Sequence, residues 1–302
     1  MEPKSKKAVF AALFGNLGIA AFKLIAALVS NSSAMLAESF HSISDTFNQV
    51  LLLYGLKRSR RKADEHHPFG HGKEEFFWSF IVAVVLFGIA GTLSIREGYL
   101  KFVHREPITS IGLAYLAIAF GILFDGYTLS IAVRNLRYEM KIEGHKNFFE
   151  AIKGSKDPRI LTIFFEDSLA LGGLLIAAVA ITAVHFTGVL ILDAIASIMI
   201  GILLMVFALF LALETKKLLV GEAVTQHKRR KILKAVNSFK EVKSVISLKT
   251  MHLSSDEVLV ALEINYKDDI IVDELEELND RIEKKIKEII PKAKVYLEAE
   301  NI

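Results

Sequence analysis

The chain has 302 residues, 52% of them hydrophobic and 24% charged, a balance too apolar for an ordinary soluble protein. The net charge of +3 is too small to point to nucleic acid, and the absence of Cys excludes disulfides and thiolate metal ligands. Apolar and charged residues must therefore be segregated along the chain, and any soft-metal site must be built from imidazole and carboxylate.

The basic opening, Met1-Glu2-Pro3-Lys4-Ser5-Lys6-Lys7, looks like a signal-peptide n-region. The apolar run behind it continues for roughly 20 residues without an Ala-x-Ala-type cleavage site, so a retained helix is expected. Hydropathy gives six candidate spans of about the length a bilayer needs: Ala8–Ser30, Ser33–Leu56, Phe76–Phe102, Ile111–Val133, Ile160–Phe186 and Val189–Leu213. The second is the least apolar, since it carries Glu38, His41, Asp45, Asn48 and Gln49.

Lys and Arg in the short loops set the orientation. Lys4, Lys6 and Lys7 precede span one; Arg58, Arg60, Arg61 and Lys62 follow span two; Arg137, Lys141, Lys146, Lys153 and Lys156 separate spans four and five; Lys216 and Lys217 follow span six. The opposite side has only Asn31–Ser32, a stretch around Lys101–Arg105, and His185–Gly188. Both termini are expected in the cytoplasm, with the protein in the cell membrane. Within the loop before span five, Asn147–Ile152 has the pattern of a short interfacial helix, or of a plain solvated loop.

From Glu214 the composition changes, which divides the chain into a membrane domain, 1–213, and a cytoplasmic domain, 214–302. Lys228–Phe239 reads as an amphipathic helix, and Val245–His252 and Val258–Asn265 alternate as strands around a Ser254-Ser255-Asp256 turn. Val272–Ile289 has helical spacing, and Lys294–Ala299 makes a last strand after Pro291. The expected fold is thus an α-helical membrane protein with a small α+β domain in the order αββαβ, one sheet face covered by helices. Its thin core invites dimerisation.

His41 and Asp45 stand at i, i+4 on one helix face, the spacing of a two-ligand metal clamp. A polar pair can also bond between helices without binding anything, but ionisable groups inside a membrane are costly and mark transport pathways. Span five contributes Glu166 and Asp167, which point roughly 100° apart, so one completes the site while the other pairs with a neighbour or faces a water-filled cavity. Together these residues offer a near-tetrahedral N/O set suited to zinc, with manganese, iron, cobalt and nickel as alternatives. The loop Asp64-Glu65-His66-His67-Pro68-Phe69-Gly70-His71 holds three His and two carboxylates in eight residues. Asp64, His67 and His71, at i, i+3 and i+7, are its expected ligands for a second metal site or collecting funnel. Asn16, Lys23 and Asp125 are further intramembrane polar groups; Lys23 and Asp125 are expected to snorkel, to neutralise one another or to move protons, with a structural role for Lys23. On the predicted strands, His252, Glu298 and Glu300 could form a weak metal site, though exposed carboxylates are common there.

At this point the pattern resembles the cation diffusion facilitator family of metal/proton antiporters over essentially the whole chain. The carrying segments are Ala37-Glu38-Ser39-Phe40-His41-Ser42-Ile43-Ser44-Asp45, the loop Ala63–Glu74 with its Pro-Phe-Gly-His-Gly-Lys core, and Leu219-Val220-Gly221-Glu222. The resemblance implies that His41 and Asp45 are the span-two ligands and that Asp64, His67 and His71 form an intracellular-loop site. It further implies a homodimer with a metallochaperone-like cytoplasmic domain, alternating between inward- and outward-open states and exchanging metal for protons. The family's span five usually places His and Asp four apart. Here, aligning Asp167 with that Asp puts Ile163 where the His belongs, and aligning Glu166 with the His puts Ala170 where the Asp belongs. The Ser155-Lys156-Asp157-Pro158 lead-in and the Glu-Asp pair look like the subgroup containing zinc transporter 9.

No enzymatic role and no cofactor beyond the transported metal are expected. Two rivals stand beside the exporter: a membrane metallohydrolase, which needs an open coordination position and a nucleophilic water, and a metal-sensing scaffold that binds metal without flux.

Overall fold

The computed structural model describes residues 6–143 and 158–300. The expected interfacial segment Asn147–Ile152 lies outside them. Six long helices come first: α1 Lys6–Ser30, α2 Ser33–Ser59, α3 Glu74–His104, α4 Ile111–Glu143, α5 Pro158–Thr187 and α6 Ile191–Val220. They are followed by α7 Gln226–Val236, β1 Val242–His252, β2 Val258–Tyr266, α8 Val272–Ile289 and β3 Ala293–Ala299. Five of the first six helices are long and apolar enough to cross a membrane. The exception is α2, whose 27 residues suffice in length while its polar side chains lower its hydropathy. Several helices overrun the expected spans. The largest overrun is α4, which runs to Glu143 rather than Val133, because no Pro or Gly interrupts it after the apolar stretch.

The chain divides into two compact units, one made of residues 1–55 and 78–215, the other of residues 56–77 and 216–302. In the first unit, α3 and α6 approach closely through small residues. A Cβ on Gly98 would lie 2.8 Å from the Ala194 carbonyl oxygen, and one on Gly201 would lie 2.8 Å from the Gly91 oxygen. Ser197 donates to the Ser94 carbonyl at 2.8 Å across the same seam. Near this contact α3 widens into a π-helical turn at Leu86–Gly91. The apolar core runs through Met35, Val82, Ile118, Leu174, Ile181, Ile200 and Leu204.

The second unit contains the αββαβ domain. Strands β1 and β2 form an antiparallel hairpin, and β3 adds parallel to β2 after the α8 crossover, giving the order β1-β2-β3. The hairpin closes where expected: the Ser254 hydroxyl accepts from the Asp256 and Glu257 amides at 3.2 and 3.0 Å. Alternate β2 residues Val258, Val260, Leu262 and Ile264 pack with Ile232 and Val236 of α7 and with Leu278, Ile282 and Ile286 of α8. One sheet face is therefore covered by both helices. The register keeps His252 apart from Glu298, in line with reading these as separate strand residues rather than a shared metal site. His252 pairs with Val258, which lies opposite Ala293, whereas Glu298 lies opposite Glu263, five residues along β2. At ~3.3 Å per residue the strand geometry keeps these side chains apart.

Candidate metal centres

The first unit places the α2 clamp as its spacing requires. His41 is buried, and its Nε2 stands 3.3 Å from Asp45 Oδ2, one helical turn on. Asn48, a further turn along the same face, donates to Glu166 Oε1 of α5 at 3.5 Å. The clamp and the span-five acids thus face the same region, and the Asp45 carboxylate lies within electrostatic range of Glu166 and Asp167.

Among the described residues, His41 Nδ1, Asp45 Oδ1, Asn48 Oδ1 and Asp167 Oδ2 are buried without a hydrogen-bond partner, and His41 Nε2 has only its 3.3 Å contact with Asp45 Oδ2. A folded protein rarely leaves so many polar atoms orphaned in one place. Imidazole, carboxylate and amide oxygen atoms brought together without partners form a donor set that a divalent transition metal would satisfy.

Sequence reasoning passed over two contributors here. Asn48 completes an i, i+4, i+7 row with His41 and Asp45, a signal that was available in the spacing. Asp193, near the start of α6, is fully buried and receives Ser32 Oγ at 2.6 Å, the Ser33 amide at 2.7 Å, Ser33 Oγ at 3.0 Å and the Ala34 amide at 3.3 Å. It caps the first turn of α2 from another helix, satisfying amides that a helix N-terminus leaves free and placing negative charge at the positive end of its dipole. Of the readings open for Lys23 and Asp125, the structure shows mutual neutralisation, at 3.1 Å.

The second unit gathers Asp64, His67 and His71, each offering one ligand atom within 4.8 Å of the others. Asp64 Oδ1 accepts from the His67 amide at 2.7 Å and the His66 amide at 3.1 Å, which folds the loop back on itself. Partial desolvation pushes the Asp64 carboxyl up, but hydrogen bonds from the His67 amide and ring, with the electrostatic influence of His67 and His71, outweigh it and hold the group below its ordinary range. Asp64 Oδ2 lies 3.4 Å from His71 Nε2, and the two imidazole rings are 4.2 Å apart.

His71 Nδ1 lies 3.2 Å from the Lys62 carbonyl, which can only accept, so that nitrogen carries the proton and Nε2 is left to bind a metal. Gly70, at φ 88°, takes the left-handed turn that brings His71 back to Asp64. The loop is fastened to the αββαβ domain by Lys294 Nζ donating to the Phe69 carbonyl at 2.9 Å and by the edge-to-face pair of Phe69 and Tyr296.

Residues 9–220 match the model of the cation efflux transmembrane domain, and residues 224–302 that of the cation efflux protein cytoplasmic domain. Metal tolerance protein C4 of Arabidopsis thaliana is 32% identical over 271 residues, covering 90% of this chain and 59% of the plant protein. The human mitochondrial proton-coupled zinc antiporter SLC30A9 is 29% identical over 245 residues, covering 81% of this chain and 43% of the human protein. Magnetosome protein MamM of Magnetospirillum gryphiswaldense is 29% identical over 140 residues. The chain thus spans less than two thirds of the length of the plant and human relatives.

Proposed function

The chain belongs to the cation efflux family, and from that premise we propose that it exports a divalent transition metal, zinc in the first instance, from the cytoplasm in exchange for protons. One observation carries the reading: the orphaned donors of His41, Asp45, Asn48 and Asp167, with Glu166 held beside them, inside a bundle of membrane-crossing helices. His41 and Asp45 are the α2 ligands, and Glu166 or Asp167 completes the shell from α5. These groups must shed protons to bind a cation, so metal affinity rises with pH, and a more acidic exterior strips the metal that a neutral cytoplasm loads.

Asp64, His67 and His71 hold a second ion at the cytoplasmic mouth, where they collect metal before it enters the membrane. In this reading residues 1–213 form the membrane part, residues 214–302 form a cytoplasmic domain that joins two copies into a homodimer, and both termini face the cytoplasm. The protein carries out transport rather than catalysis, and the metal is its cargo rather than a cofactor. The zinc antiporter named among its relatives favours zinc and proton coupling, and the cell membrane is assigned from the loop charges.

The test is metal entry into proteoliposomes containing a zinc-sensitive dye, with a pH gradient imposed in either direction. Zinc flux that reverses with the gradient is expected. Flux of manganese, iron, cobalt or nickel alone would change the cargo, and metal binding without any flux would replace the exporter with a sensor.

A further inference from the structure

Three helices meet at a positive charge that the transport reading leaves without a role. Lys23, on α1, is 1% exposed, and its Nζ lies 3.1 Å from Asp125 Oδ2 of α4 and 3.7 Å from Glu38 Oε2 of α2. Two glycines make room for these side chains. A Cβ on Gly121 of α4 would lie 3.0 Å from Lys23 Cε, and one on Gly173 of α5 would overlap Glu38 Oε1. Glu38 is wholly buried and neither of its oxygens has a hydrogen bond, so among the described residues only the ion pair with Lys23 offsets its charge. A pair kept for stability alone would be expected to satisfy those oxygens, since an apolar pair of similar size holds helices together as well or better.

Position gives the network its meaning. Glu38 precedes His41 by three residues, one turn away on the same side of α2, and the Lys23 charge lies within electrostatic range of His41 and Asp45. A dication seated at the clamp is therefore repelled by Lys23 and attracted by Glu38 and Asp125, in surroundings where charge interactions are poorly screened. A carrier must bind its ion well enough to load it and weakly enough to let it go. We propose that Lys23 is a built-in counter-cation that limits how tightly the transport clamp holds its metal, with Glu38 and Asp125 setting the opposite side of that balance. The inference rests on the clamp assigned above.

The experiment titrates Zn2+ into the full chain in lipid nanodiscs, with Asp64→Ala, His67→Ala and His71→Ala together silencing the loop. Lys23→Met is expected to strengthen zinc binding by at least about tenfold, or to admit a second ion, whereas Glu38→Gln and Asp125→Asn each weaken it. Opposite signs are the signature, because a merely structural network would weaken binding whichever member is removed. Unchanged or weaker binding in Lys23→Met would overturn the proposal. If Lys23→Met does not fold, Lys23→Gln takes its place: tighter binding is again expected, and unchanged or weaker binding again overturns the proposal. His41→Ala is run alongside: loss of binding there confirms the clamp, so a failure confined to the Lys23 series strikes this inference alone.

Discussion

The Asp193 carboxylate accepts a 2.7 Å hydrogen bond from the backbone amide of Ser33, so the helix that carries His41 and Asp45 is capped by a side chain of another helix. The same carboxylate reaches Ser32 Oγ, Ser33 Oγ and the Ala34 amide. It sets the position of α2 along its axis, eight residues before His41. Asp193→Ala strands these donors in a buried place and is expected to cost about 3 kcal/mol, with Asp193→Asn costing less because one acceptor survives. Thermal unfolding in detergent checks the ranking.

Gly173 is where α5 yields to Glu38. Gly173→Ala introduces a methyl group that overlaps Glu38 Oε1, so the carboxylate must leave its place beside Lys23. The expected cost is about 1–3 kcal/mol, accompanied by altered zinc affinity. Gly172→Ala is the control, since its added Cβ would meet nothing nearer than 4.0 Å. Zinc titration and unfolding of the two variants separate them.

The loop cluster has its own pH behaviour. Asp64 is held below its ordinary range, so its contribution to the loop is present above the unfolded value near 3.9 and is lost as pH falls through the lower folded value. Above about pH 5 the carboxylate therefore stays ionised. Asp64→Asn is expected to lower metal affinity at the loop at every pH above 5 without changing how that affinity varies with pH. Equilibrium dialysis of the His41→Ala chain across pH isolates this site.

Tyr266 provides an alkaline marker for the αββαβ domain. Burial pushes its phenol up to about 12, and the hydroxyl donates to Asn279 Oδ1 at 2.6 Å. Because the folded value exceeds the unfolded value near 10, the stability it provides is fully present below pH 10 and drains away as pH rises towards 12. Tyr266→Phe is expected to lose about 1 kcal/mol at neutral pH and to lack that part of the alkaline decline. Phenolate absorbance and unfolding of the full chain across this range are the readouts.

Much of this architecture was legible because the segregation of apolar and charged residues dictates it. The αββαβ order followed from alternation and turn chemistry, down to the Ser254-Ser255-Asp256 hairpin. The local loop cluster was equally readable, since Asp64, His67 and His71 lie within eight residues and the turns at Asp64 and Gly70 that gather them are local. What escaped was the pairing of elements far apart in sequence. Nothing local says that Asp193 lies over Ser33, 160 residues away, and the meeting of Lys23 with Asp125 across 102 residues stood as only one of three readings until packing chose it. The α5 acids fall between these cases, because adjacency in a helix names two candidates and only packing brings Glu166 to Asn48. Whether His252 could meet Glu298 and Glu300 was likewise open, as register rather than composition decides which strand residues meet.

The central claim, that a divalent metal crosses the membrane through the α2–α5 clamp, is tested most directly by zinc flux into proteoliposomes containing Asp45→Asn. This variant preserves size and removes only the charge and one acceptor of a group that stands 3.3 Å from His41. The account predicts that gradient-driven flux falls to the level of empty vesicles while zinc still binds at Asp64, His67 and His71. Undiminished flux in a folded Asp45→Asn protein would contradict it.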